Sequence, residues 1–236
     1  MSPHPTKHKK PHKLHYDMIY SGTAFEWIGH SSYKASSGWD LVKEKHALGR
    51  DAEVQALRDA GYDLSPYNHQ KATSKEQHTP DAGPVPAGWY WFPLIFSSDA
   101  NISGSDSHGG YALDKRQGIE AIPNTLQFPG HHRGEPSSIT PSFNAWGDNR
   151  VRLNKISLDD PTIQRDGFYL HDSRKGYSHG CIEVGVGNDG SKFFNALRVY
   201  VKQQEALKKA KKPHKERLIL RVKYPKDAST YGGTDK

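Results

Sequence analysis

In several short runs along this chain apolar positions alternate with polar ones, which is the period of a strand. Tyr16 to Tyr20 and Ala24 to Ile28 lie on either side of Ser21-Gly22-Thr23, and Phe25 and Trp27 share a face, as a hairpin requires. Trp89-Tyr90-Trp91-Phe92, introduced by Pro86-Ala87-Gly88, predicts a further strand. Arg150 to Leu153 predicts another, with Val151 and Leu153 pointing one way and Arg150 and Arg152 the other. Phe168 and Leu170 then face the core and leave Tyr169 and His171 on the opposite side, with His171 at the strand end. Leu218, Leu220 and Val222 make a closing strand.

Helical spacing is confined to two regions. Asp40 caps a turn running through Leu41 and Leu48, and Ala52 to Ala60 carries Val54 and Leu57 before Gly61 stops it. Ser191 caps a longer helix with Phe194, Leu197 and Val201 on one stripe, whose lysine-rich end complements the helix dipole before Pro213. The remainder is polar and rich in turn formers. The expected organisation is a basic, His-rich disordered arm over 1–15, one domain over 16–224 with a helical and loop insertion at about 38–85, and a flexible tail over 225–236. The expected fold class is mainly β, a sandwich or distorted barrel with a helical insertion and one packed C-terminal helix.

Composition agrees with that class. The 5 Trp, 12 Tyr and 8 Phe supply large side chains for a β core, and 22 Gly with 15 Pro supply turns, within 236 residues that suffice for one buried core. The formal charge of +7 attracts polyanions, among them the phosphates and carboxylates of a bacterial envelope. Nucleic acid is not expected as a partner. Several of the positive charges sit in the stretch through Lys13 and at Lys208, Lys209, Lys211 and Lys212, and neither place interleaves Arg with aromatics. No segment has transmembrane length, and the first residues lack the apolar run of a secretory signal. The expectation is synthesis in the cytoplasm, no membrane insertion, and another route outward if the substrate lies outside.

The one cysteine, Cys181, excludes an intramolecular disulfide and leaves a thiol available for chemistry. It lies in Phe168 to Val184, FYLHDSRKGYSHGCIEV, after His171, Ser178, His179 and Gly180. A thiol needs a nearby base or positive field to become thiolate at neutral pH. Both histidines are candidates for the base. Gly180 permits a tight turn that aims backbone N–H groups at a substrate carbonyl, Ser178 is placed to hold the turn, and Tyr169 shares the His171 face as a pocket wall. His171, Asp172, His179, Cys181 and the pair His131-His132 are zinc-type ligands, but no spacing matches a zinc module, so neither metal nor cofactor is expected.

His171 followed by Ser178-His179-Gly180-Cys181-Ile182 resembles the signature of the L,D-transpeptidase catalytic domain. The short histidine-to-cysteine loop is most similar to type VI secretion effectors carrying that domain. Phe25-Glu26-Trp27-Ile28-Gly29, Ala35-Ser36-Ser37-Gly38, Pro86-Ala87-Gly88-Trp89-Tyr90 and Ala145-Trp146-Gly147 are similar to the same subgroup. The resemblance spans roughly Tyr16 to Tyr224 and implies an L,D-transpeptidase-like fold in which Cys181 attacks the third residue of a peptidoglycan stem and expels D-alanine. It implies His171 as general base and His179 with Gly180 framing the oxyanion. Water, a D-amino acid or the amine of another stem would then accept the acyl group. Asp172 and Glu183 depart from the family pattern of Gly and of Asn or Arg, and add negative charge at the substrate pocket. A secreted antibacterial effector acting in a target cell's periplasm, with an immunity protein as partner, is what the resemblance implies. The other readings carried forward are an inactive peptidoglycan-binding module and a basic nucleic-acid-binding protein.

Overall fold

The computed structural model describes residues 15–38, 51–61, 73–80, 82–97, 102–105, 111–113, 117–122, 147–172, 178, 180–185 and 189–233. The expected helical turn through Leu41 and Leu48, residues 1–14 of the His-rich arm, His131-His132 and His179 lie outside them. The protein is mainly β, with a curled, half-barrel sheet and a packed C-terminal helix.

The strands in chain order are β1 (Met18–Tyr20), β2 (Ala24–Trp27), β3 (Ser31–Ser36), β4 (Gly88–Pro93), β5 (Ile102–Ser105), β6 (Tyr111–Leu113), β7 (Ile119–Ala121), β8 (Asn149–Arg152), β9 (Asn154–Leu158), β10 (Tyr169–His171), β11 (Ile182–Val184) and β12 (Arg217–Val222). Ten of them form one sheet in the order β7-β8-β10-β11-β3-β2-β1-β12-β4-β9, while β5 and β6 pair separately. Most pairs are antiparallel, but β1 with β12 and β10 with β11 are parallel. The parallel pairing carries β12 to an interior position in the sheet, between β1 and β4, although it is the last strand in the chain.

In β4 and β12 the alternation is strict: Tyr90 and Phe92, and Leu218, Leu220 and Val222, are buried while their neighbours are partly exposed. These side chains join Met18, Tyr20, Phe25 and Trp27 in the core. Helix α1 (Asp51–Asp59) carries one buried residue, Val54, and ends before Gly61 at φ +86°. Helix α2 (Asp189–Lys209) covers the core with Phe193, Phe194, Leu197 and Val201. Edge-to-face rings tie it to the sheet: Phe193 lies 5.4 Å from both Phe25 and Tyr33, and Tyr200 lies 5.3 Å from Trp27. Such pairs add about 0.5–1.5 kcal/mol each beyond burial.

The chain end differs from the expected flexible tail as far as Gly233. Thr230 is buried, its carbonyl accepts the Ser37 N–H at 2.8 Å, and the Gly232 N–H donates to Ser36 Oγ at 2.9 Å. A Cβ on Gly232 would lie 2.2 Å from the Ala35 carbonyl oxygen, so only glycine lets this segment approach β3 so closely. Polar residues make the segment look solvated in sequence, yet its backbone bonds to the end of β3 hold it down.

Candidate active site

Parallel pairing of β10 with β11 sets Leu170 beside Ile182 and His171 beside Glu183. Leu170, Ile182 and Val184 belong to the core, so alternation turns His171 and Glu183 to the other face, together with Tyr169 and, just before β11, Cys181. His171 and Cys181 are thus diagonal neighbours on adjoining strands, a relation that separates Cα atoms by about 7–8 Å and lets an imidazole reach a thiol.

That second face is buried as well. Reading the register across five strands gives one row: Glu120 on β7, Arg150 on β8, His171 on β10, Glu183 on β11 and Ser36 on β3. None of the five is more than 2% exposed. Within it Glu120 and Arg150 sit side by side as an ion pair, which is how a low-dielectric layer tolerates ionised groups. Arg150 Nε donates to Glu120 Oε2 at 2.6 Å, and its guanidinium lies 4.8 Å from the Tyr169 ring centroid. Burial pushes the Tyr169 phenol up, partly offset by Arg150 and Arg152.

Cys181 is 8% exposed, and the Tyr169 N–H donates to its Sγ at 3.3 Å. Sulfur accepts such a bond best when it carries negative charge. The turn before it is held from several sides. Ser178 Oγ donates to the Cys181 carbonyl, and the Ser178 N–H donates to the Gly38 carbonyl at 3.0 Å. Ser37 Oγ donates to the Gly180 carbonyl at 3.2 Å while accepting the Val85 N–H at 2.8 Å. Because a trans peptide points C=O and N–H to opposite sides, anchoring the Gly180 carbonyl inward directs the Cys181 N–H the other way.

Gly180 has φ +105°, and a Cβ there would lie 2.4 Å from the Arg165 guanidinium and 2.8 Å from Phe168. Two constraints therefore select glycine, backbone conformation and space. Arg165 is the centre of this packing: Nη1 donates to the carbonyls of Gln77 and Pro84 at 2.8 and 2.9 Å, Nη2 to that of Gly83 at 2.7 Å, and the guanidinium stacks 5.2 Å from the Phe168 ring. It binds the 77–84 segment to the cysteine turn. Nothing in the sequence around Arg165 signals this role, because its partners are backbone carbonyls far away in the chain.

Asp172 is placed otherwise than the pocket position expected of it. Its Oδ1 accepts the N–H groups of Asp148 and Asn149, both at 2.8 Å, and its Oδ2 accepts from the Asn149 amide at 2.8 Å. Its Cβ is also close to Gly190 in the first turn of α2, on the core side of the sheet. Burial pushes its carboxyl up, partly offset by the Asn149 bonds. Its role here is to tie the start of β8 to the end of β10. Glu183 does lie on the His171 face.

Sequence reasoning missed Glu120, Arg150 and Ser37 as parts of the site. The signal for Arg150 was its position opposite Val151 in an alternating strand, and for Ser37 its place in Ala35-Ser36-Ser37-Gly38. Among the described residues no three His, Cys, Asp or Glu side chains group as a metal site. No described helix is long and apolar enough to cross a membrane. The chain matches no family model and no curated protein.

Proposed function

We propose that the protein is a cysteine-dependent acyl transferase of the L,D-transpeptidase or L,D-carboxypeptidase kind, acting on peptidoglycan tetrapeptide stems. The observation that carries the reading is the β10–β11 register, which sets His171 and Cys181 on one face of adjoining strands with the Tyr169 N–H on the sulfur.

His171 takes the thiol proton, and Cys181 Sγ attacks the carbonyl carbon of the third stem residue, forming an S–C bond and an oxyanion opposite the Cys181 N–H. Collapse breaks the C–N bond to D-alanine, whose nitrogen receives the proton from His171. A thioester remains on Cys181. Water, a D-amino acid or a stem amine then attacks it, gives its proton to His171 and releases Cys181 as product leaves.

The family resemblance of the sequence supports the stem as donor, and with it an antibacterial effector reaching a target periplasm through a contractile secretion system, paired with an immunity protein. The test is incubation of the protein, and of Cys181→Ala beside it, with disaccharide tetrapeptide, with and without a D-amino acid, followed by mass analysis. Loss or exchange of D-alanine by the native protein alone is expected. No change with either protein under reducing conditions points instead to a wall-binding module.

A further inference from the structure

We propose that Glu183 is the positioning residue for His171, holding the imidazole by one ring N–H so that the other nitrogen meets Cys181. The inference rests on the thiol-dependent reading above and deepens it.

Glu183 and His171 are direct register partners on parallel strands, and adjoining strands lie about 4.8 Å apart, so their side chains leave the same face side by side. Glu183 is 0% exposed and His171 2%. A buried carboxylate is tolerated where a donor or a positive charge meets it, and the imidazole is the titratable group in the adjacent position. Among the described residues, the row shows which side chains flank that pair. On the β8 side Arg150 faces His171, but its charge is matched by Glu120 at 2.6 Å and it leans on Tyr169. On the β3 side Ser36 faces Glu183 and takes the Gly232 N–H. On the two strands themselves Tyr169 and Cys181 complete the face, while Asp172 points to the core side.

The consequence is a division of labour. A carboxylate beside the imidazole fixes its ring plane and tautomer and stabilises the imidazolium formed when Cys181 gives up its proton. Arg150, which would oppose that charge, is neutralised one strand away. Glu183 therefore serves the reaction at the very position where its negative charge first looks like an obstacle to the thiolate.

The experiment compares Glu183→Gln and Glu183→Asp with the native chain by steady-state turnover of disaccharide tetrapeptide and by NMR titration of the His171 ring, assigned through His171→Gln. Glu183→Gln is expected to lower kcat by about 10- to 100-fold with KM little changed, and to move the His171 midpoint down by about one pH unit. Glu183→Asp is expected to recover part of both. Native kcat in Glu183→Gln, or a lost kcat with an unmoved His171 midpoint, overturns the proposal. Should Glu183→Gln fail to fold, the native chain decides: a far-downfield ring N–H proton that vanishes in His171→Gln supports the pairing, and its absence overturns it. If the native chain leaves the tetrapeptide untouched while the His171 midpoint still falls in Glu183→Gln, the substrate reading falls and the positioning role stands. If the stem is processed equally by Glu183→Gln, the reverse holds.

Discussion

The two halves of the sheet handle their second face differently. Around β4 and β12 every other residue is buried and the remainder meet solvent, so one face makes the core and the other is surface. Around β10 and β11 every residue is buried, and the face away from the core holds Glu120, Arg150, His171 and Glu183 in one row. Burying charge on a sheet face costs stability that the first half does not spend. The difference teaches where to look for chemistry: a fold retains such a layer where pairing fixes side chains that must act together.

The comparison breaks most visibly in activity. Cys181→Ala and His171→Gln are expected to reduce turnover of the stem by about 10³-fold or more, and Cys181→Ala to leave the thermal melt near native, since Cys181 lies outside the apolar core cluster. Equal loss of folding and activity would make the second face a structural layer only.

Next come the ion pairs, one from each half. Arg150–Glu120 is almost wholly buried, whereas Arg221–Asp159 joins β12 to the end of β9 with Asp159 45% exposed. Glu120→Ala removes the carboxylate from a buried guanidinium and is expected to cost about 3–5 kcal/mol by chemical denaturation. Asp159→Ala is expected to cost about 1 kcal/mol or less. Similar costs would erase the contrast between the halves.

Gly180→Ala tests the turn through backbone strain and through the contact with Arg165. A loss of about 1–3 kcal/mol is expected, together with a fall in kcat as the Cys181 N–H is displaced.

The smallest effect concerns Asp172 and pH. Burial holds its folded carboxyl above the ordinary aspartate value, so the folded state binds the proton more tightly than the unfolded chain. The stability it contributes is therefore fully present below that value and is lost as pH rises through the folded one. Melts from the acid side of the aspartate range to neutrality should lose less stability in Asp172→Asn than in the native chain.

Much of the site's scaffold was legible from local alternation. Phe168 to His171 gave the correct faces, because a strand buried on both sides still separates Leu170 from His171. Phe194, Leu197 and Val201 marked the helix stripe, although the helix begins at Asp189, ahead of the Ser191 cap the sequence suggests. Strand β3, Ser-Ser-Tyr-Lys-Ala-Ser, was hidden because its pairing with β2 and β11, and not its own polarity, makes it a strand. The interior place of β12 was hidden because it depends on parallel pairing with β1 across nearly the whole chain. Asp172 misled because a carboxylate next to a catalytic-looking histidine resembles a pocket group, while the backbone amides that claim it are more than twenty residues earlier. The Glu120–Arg150 pair is similarly non-local.

The most direct test of the central claim is intact-protein mass spectrometry after brief mixing with disaccharide tetrapeptide. The account predicts an adduct on Cys181 equal to the stem less D-alanine, absent in Cys181→Ala and discharged by water or a D-amino acid. Processing of the stem by Cys181→Ala, or an adduct on any other residue, would contradict it.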